Sequence, residues 1–132
     1  MQHIGITGGI GSGKTTICNI FAQLGIPIYN ADIRAKFLVQ HSLQQEISKE
    51  FGSDIFKNGQ LNKELLAQRA FISKEQTDKL NSIVHPAVEE DYKKWQLEQD
   101  AFYTLKEAAL LIESGSYQKL DALILVLAPL EI

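Results

Sequence analysis

Residues Gly8-Gly9-Ile10-Gly11-Ser12-Gly13-Lys14-Thr15 fit the pattern G-x-x-x-x-G-K-[ST], in which a glycine-rich loop wraps a chain of phosphates. The flanks agree with the motif. His3-Ile4-Gly5-Ile6-Thr7 reads as a short buried strand entering the loop. Behind the loop Ile17, Ile20, Phe21 and Leu24 recur at i, i+3, i+4 and i+7, the stripe of an amphipathic helix. Gly25 and Pro27 end that helix. A glycine turn that binds nothing would explain the glycines but not Lys14 followed by Thr15.

The residue types follow from the chemistry of a nucleoside triphosphate. Gly8, Gly11 and Gly13 let backbone N–H groups close around the anion without Cβ obstruction. The start of the following helix adds partial positive charge at the same place. The expected nucleotide contacts are Gly9, Ile10, Gly11, Ser12, Gly13, Lys14, Thr15 and Thr16. Lys14 is expected to reach the β- and γ-phosphates, and the Thr15 hydroxyl to ligate Mg²⁺.

Composition narrows the setting. The chain has 132 residues, 45% of them apolar and 22% charged, which suits one globular domain with a real core. A net charge of −3 argues against a surface that coats nucleic acid, so an anionic ligand must be held by local cations and backbone donors. No apolar run approaches membrane-spanning length and no basic-then-apolar leader opens the chain; the cytoplasm is the expected compartment. The single cysteine, Cys18, is read as a small packing residue of the first helix.

Further along, Ile26–Tyr29 reads as a second strand ending at Asn30-Ala31-Asp32, where a helix starts with Ile33, Phe37 and Leu38 inward. Residues 42–51 suit another helix, stopped by Gly52, and Asn58-Gly59 a turn. Leu61, Leu65, Leu66 and Phe71 mark a helix, and Leu80, Ile83 and Val84 a second. Pro86 starts a third, with Val88, Tyr92 and Trp95 on its buried face. Phe102–Leu105 is expected to be a strand, and Leu123–Ala128 a strand buried on both faces. Strands thus flank a helical block over roughly residues 32–100. The pattern predicts an α/β chain: one domain over residues 1–132, with a parallel sheet and a helical insertion that binds substrate.

Five features in this order resemble the dephospho-CoA kinase family. They are the phosphate loop, Asp32 after the second strand, His85-Pro86, the segment from Glu107 to Glu113, and the apolar strand ending Ala128-Pro129. Gly5–Lys14 matches the family's opening almost residue for residue. Asn30-Ala31-Asp32 matches its Asp-Ala-Asp at the second aspartate, Leu80–Pro86 its Leu-Glu-x-x-x-His-Pro, and Leu110–Glu113 the end of its Pro-Leu-Leu-Phe-Glu.

The resemblance implies the three-layer P-loop NTPase fold and transfer of the γ-phosphoryl group of ATP to the ribose 3′-hydroxyl of dephospho-CoA. Lys14 and Asp32 are then the catalytic residues, with Asp32 as the carboxylate that accepts or orients the hydroxyl proton; its plainer role is to cap a helix. Asp32, Lys36, Arg69, His85 and Glu113 are the implied acceptor-site residues. A helix-start histidine explains His85 equally well, and solvated surface charge explains Lys36, Arg69 and Glu113.

The chain departs from the family in places. Lys36 stands where an arginine is usual, which removes bidentate phosphate recognition. Asn62-Lys63 stands for Asp-Arg, and Ala109 for a proline. In the family the Ala-Pro segment leads to an arginine-rich lid, a further strand and helices. A chain stopping at Ile132 is therefore expected to lack the lid and last strand, to turn over weakly, and to self-associate through an open sheet edge. Competing readings are another small P-loop kinase of nucleosides or nucleotides, or a nucleotide-binding module without turnover.

Overall fold

The computed structural model describes residues 2–8, 13–108 and 120–126. Its elements, in chain order, are β1 (Gln2–Gly8), α1 (Lys14–Gln23), β2 (Ile28–Asn30), α2 (Ala31–Gln40) and α3 (Gln44–Phe51). A 3₁₀ turn (Ser53–Ile55), the two short strands β3 (Phe56–Lys57) and β4 (Gln60–Leu61), α4 (Lys63–Ala70) and α5 (Lys74–Leu97) follow. β5 (Tyr103–Glu107) and β6 (Ala122–Val126) complete the described chain. The protein has an α/β architecture built on a parallel sheet, as the sequence pattern predicts.

Two compact units emerge, one of residues 1–32 and 92–132, the other of residues 33–91. The first holds a four-stranded sheet in the order β2-β5-β1-β6. All three pairings are parallel: Ile4 faces Leu105 on one side and Ala122 on the other, and Asn30 faces Glu107. The second half of β1, Gly5–Gly8, is buried throughout, as expected for a parallel strand with neighbours on both edges. Ile6, Cys18, Leu105 and Val126 form the core here, with Ile4, Ile17, Phe21, Ile26, Ile28 and Ile124 packed around them. The start of the sheet is tied by a reciprocal pair: the His3 N–H donates to Asp121 Oδ2 (2.7 Å) and the Asp121 N–H to the His3 carbonyl (2.8 Å).

The other unit has its own core of Ile47, Phe51, Ile55, Leu66 and Ala70, into which Leu43, Leu61, Leu65, Leu80 and Ile83 pack. Asn58-Gly59 forms the expected turn, both residues at positive φ (54° and 76°), between the antiparallel pair β3 and β4. Asn62 caps α4, its Oδ1 accepting from the Leu65 N–H at 3.1 Å. Gly52 ends α3 at φ 105°, and a side chain there would meet the Arg69 guanidinium at 2.5 Å.

Several sequence expectations need correction. α5 runs unbroken through Pro86 for 24 residues, whereas two helices with a restart at proline were expected. Proline costs a helix interior one hydrogen bond and a clash, but Val84, Val88 and Tyr92 are buried along the same side of α5, and that burial continues the helix across it. On α2 the buried residues are Ala31 and Leu38, while Ile33 (62%) and Phe37 (46%) are exposed. Seven residues separate Ala31 and Leu38, two helical turns, so the inner face runs through them and not through Ile33 and Phe37. In α1 the inner face is Ile17, Cys18 and Phe21; Ile20 and Leu24 are exposed. Phe71 and Phe102 are exposed as well, each just outside the element it was expected to anchor. In β6, Leu125 is 51% exposed, so this strand is not buried on both faces; Leu127 and Ala128 lie outside the described residues.

Candidate active site

The site begins where β1 gives way to α1. Gly13 precedes the helix at φ 93°, ψ 11°, a left-handed conformation that glycine adopts at no steric cost. Among the described residues no side chain caps α1, and no acidic residue lies in its first turn. As at any helix start, its leading N–H groups lack intrahelical partners, and they give this end partial positive charge. Lys14 is half-buried, and Thr15 and Thr16 are exposed. This set fits a polyphosphate and a hard cation: backbone donors, one ammonium and an accessible hydroxyl. Gly9, Ile10, Gly11 and Ser12 lie outside the described residues, as does Glu113.

Asp32 comes second. β2 ends at Asn30 and α2 starts at Ala31, so Asp32 sits exposed inside the first helical turn, not at the position before the helix where a side-chain cap acts. β1 and β2 both run parallel to β5, so Lys14 and Asp32 emerge past the same, C-terminal edge of the sheet. That edge is where open α/β sheets bind ligands.

Between the two strands lies a residue that sequence reasoning did not single out. Glu107 ends β5, is 7% exposed, and accepts a hydrogen bond from Asn30 Nδ2 at 3.2 Å. It also faces α1: burial above all, and then Glu107, push the Cys18 thiol up to about 12, while Lys14 pulls it back. In the sequence Glu107 figured only as the first residue of the segment Glu107–Glu113, with no role of its own assigned to it. What makes it notable is its burial between β1 and β2, which pairing alone reveals.

An aromatic group packs on the sheet at Tyr29. Tyr29 of β2 packs on Tyr92 (4.9 Å between ring centroids) and Trp95 (5.4 Å) of α5. Lys106 of β5, itself buried, places its Nζ 4.5 Å over the Tyr92 ring, a cation–π contact. These contacts set β2 and β5 against the C-terminal part of α5.

The remaining candidates, Lys36, Arg69 and His85, belong to the unit of residues 33–91 and stand on three different helices. Lys36 and His85 are exposed. Arg69 is engaged: Nη1 and Nη2 hold the two oxygens of Asp54 at 2.6 and 2.7 Å, and Nη1 also donates to the Phe51 carbonyl at 2.6 Å. Its hydrogen bonds keep the Asp54 carboxyl below the usual range. In the same unit Arg34 makes a bidentate pair with Asp91 (2.9 and 2.8 Å) and lies 4.7 Å over the Phe37 ring.

A family model described as dephospho-CoA kinase matches residues 2–132. The chain belongs to the dephospho-CoA kinase family. A dephospho-CoA kinase of Porphyromonas gingivalis is 41% identical over 131 residues, covering 98% of this chain and 65% of that protein. One from Bacteroides fragilis is 38% identical over 132 residues, covering 98% of this chain and 64% of its own length. The chain thus spans about two-thirds, or slightly less, of these relatives. A crystal structure of a Thermus thermophilus protein superposes with a TM-score of 0.87 at 30% identity, over 97% of this chain and 66% of the other. The dephospho-CoA kinase of Campylobacter jejuni, at 20% identity and a TM-score of 0.73, shares the fold. Together these show the P-loop NTPase fold that the family resemblance implied.

Proposed function

We propose that the chain carries the nucleotide and acceptor machinery of an ATP-dependent kinase that phosphorylates the ribose 3′-hydroxyl of dephospho-CoA, the last step of coenzyme A synthesis, in the cytoplasm. The observation that carries this is the emergence of Lys14 and Asp32 at one edge of a parallel sheet, in a chain of the dephospho-CoA kinase family. The loop from Gly9 to Gly13 and the first turn of α1, Lys14, Thr15 and Thr16, cradle the triphosphate. Lys14 neutralises charge on the transferred group. Thr15 would hold Mg²⁺, which when bound offsets phosphate charge.

Asp32 accepts the proton of the acceptor hydroxyl as its oxygen bonds to the γ-phosphorus and the bond to the ADP oxygen breaks. Lys36 and Arg69 are the candidate cations for the acceptor's phosphates, Arg69 only if it leaves Asp54, and His85 belongs to the acceptor site near the CoA portion. The helical block of roughly residues 32–100 is the acceptor-binding insertion. The competing module reading is separated by running two measurements on one preparation: an ATP·Mg²⁺ titration and transfer of labelled phosphate to dephospho-CoA. Binding with transfer supports the kinase, and Asp32→Asn then lowers kcat about 10²-fold or more while ATP affinity holds. Binding without transfer leaves a nucleotide-binding module, and a near-normal kcat for Asp32→Asn removes Asp32 from the chemistry.

A further inference from the structure

Asp32 stands two residues beyond the end of the shortest strand of the main sheet. β2 has three residues, and its ladder to β5 consists of Ile28 facing Leu105, Tyr29 facing Lys106 and Asn30 facing Glu107. Among the described residues β2 has a strand on one side only. Such a short edge strand frays from its ends unless something besides the ladder holds it. The last register pair carries that extra tie, because the Asn30 amide reaches across it to the Glu107 carboxyl.

The geometry points to Glu107 as a positioning residue for Asp32, acting through the side chain of Asn30. Three observations support this. Glu107 is almost fully buried, so its carboxyl needs donors in place of water, and Asn30 from β2 and Cys18 from α1 supply them. It sits in β5, which is paired on both edges and is therefore the rigid reference against which β2 is held. Ala31, the link between Asn30 and Asp32, is also buried, so the chain from the tie to Asp32 has little freedom. The amide at position 30 matters: it is neutral and donates a proton, whereas a carboxylate there would set two acceptors of like charge against each other.

This inference rests on the reading of Asp32 as the proton acceptor, and its test separates the two. Asn30→Ala removes the donor and leaves Glu107 in place. Asn30→Asp gives a group that donates when protonated and repels when ionised. Among the described residues, Cys18 on α1, itself near Lys14, and residue 30 on β2 face Glu107; neither variant alters the α1 groups.

The readout is backbone ¹⁵N relaxation of residues 31–33, with the transfer rate alongside. In the parent chain these amides are expected at order parameters of about 0.85, and in Asn30→Ala they fall toward ~0.6. The transfer kcat falls with them, about 10- to 100-fold, with KM for ATP unchanged, as expected when a reacting group is displaced rather than removed. Asn30→Asp matches the parent near pH 5 and Asn30→Ala near pH 8, and this crossover also shows that the variant folds. Parent-like order parameters in Asn30→Ala, or an Asn30→Asp variant without the crossover, would overturn the inference. If instead only the Asp32 reading fails, Asp32→Asn keeps its kcat while the crossover persists.

Discussion

Lys14 is the residue on which nucleotide affinity is expected to depend most. It supplies a charge-assisted contact worth about 1.5–3 kcal/mol, so Lys14→Ala should weaken ATP·Mg²⁺ binding by roughly 10- to 100-fold. Its circular dichroism should stay unchanged, because the residue packs at the mouth of α1 and not in the Ile6–Leu105 core. Calorimetric titration checks this, and undiminished affinity would detach Lys14 from the phosphates. Cys18 gives a second test at this scale. Burial and Glu107 raise its thiol from 9.0 to about 12, so the folded chain keeps a proton that the unfolded chain releases above pH 9. The stability tied to that proton is complete below pH 9 and is lost as pH climbs toward 12. Urea unfolding of the parent and of Cys18→Ser should show a gap between their midpoints that narrows in favour of the serine variant across that window. A gap constant with pH would contradict the environment assigned to the thiol.

At the scale of elements, the informative features are the places where a local rule is overridden. Pro86 inside α5 leaves the Ser82 carbonyl without its helical donor, and proline is roughly 3 kcal/mol worse than alanine in a helix interior. Less flexible unfolded chain offsets part of that, about 0.4–1 kcal/mol. Pro86→Ala should therefore stabilise the chain by about 2–2.6 kcal/mol in urea melts, and a loss of stability would mean that α5 depends on the proline. At Gly52 the sign reverses. The φ of 105° lies in a region nearly restricted to glycine, and a Cβ would force apart the Arg69–Asp54 pair. Gly52→Ala should cost ~1–3 kcal/mol from the backbone alone. The same logic separates what could be read in the sequence from what could not. Punctuation by Gly25, Gly52 and Asn58-Gly59 was readable because positive φ is a property of single residues. The inward faces of α1 and α2 were not, because each helix carries more apolar residues than it buries, and only the partner surface decides which are used. Pro86 misled for a related reason: its local penalty is visible in sequence, while the burial of Val84, Val88 and Tyr92 that outweighs it is a tertiary fact.

On the scale of the whole molecule, the phosphate loop and Asp32 were legible because motif and strand order together place them. Glu107 was not, since its significance comes from the β2-β5-β1 pairing. The sheet also carries a consequence for assembly. Among the described residues β6 has a partner on one side only, and Leu125 is half-exposed on its face. Unpaired apolar edges template association, so the purified chain is expected to elute above its monomer size at tens of micromolar in gel filtration. Leu125→Lys should shift it toward monomer, and a parent that stays monomeric at millimolar concentration would rule this out. The ring cluster of Tyr29, Tyr92 and Trp95 has an optical use as well. The chain has one tryptophan, and all of its tyrosines lie outside residues 33–91, so intrinsic fluorescence reports on the sheet-bearing unit alone. Far-ultraviolet dichroism, in contrast, is weighted toward the helices of the other unit. Melting the protein under both signals thus asks, without any label, whether nucleotide half and helical half unfold as one body: a shared midpoint means one cooperative molecule, and a split means two.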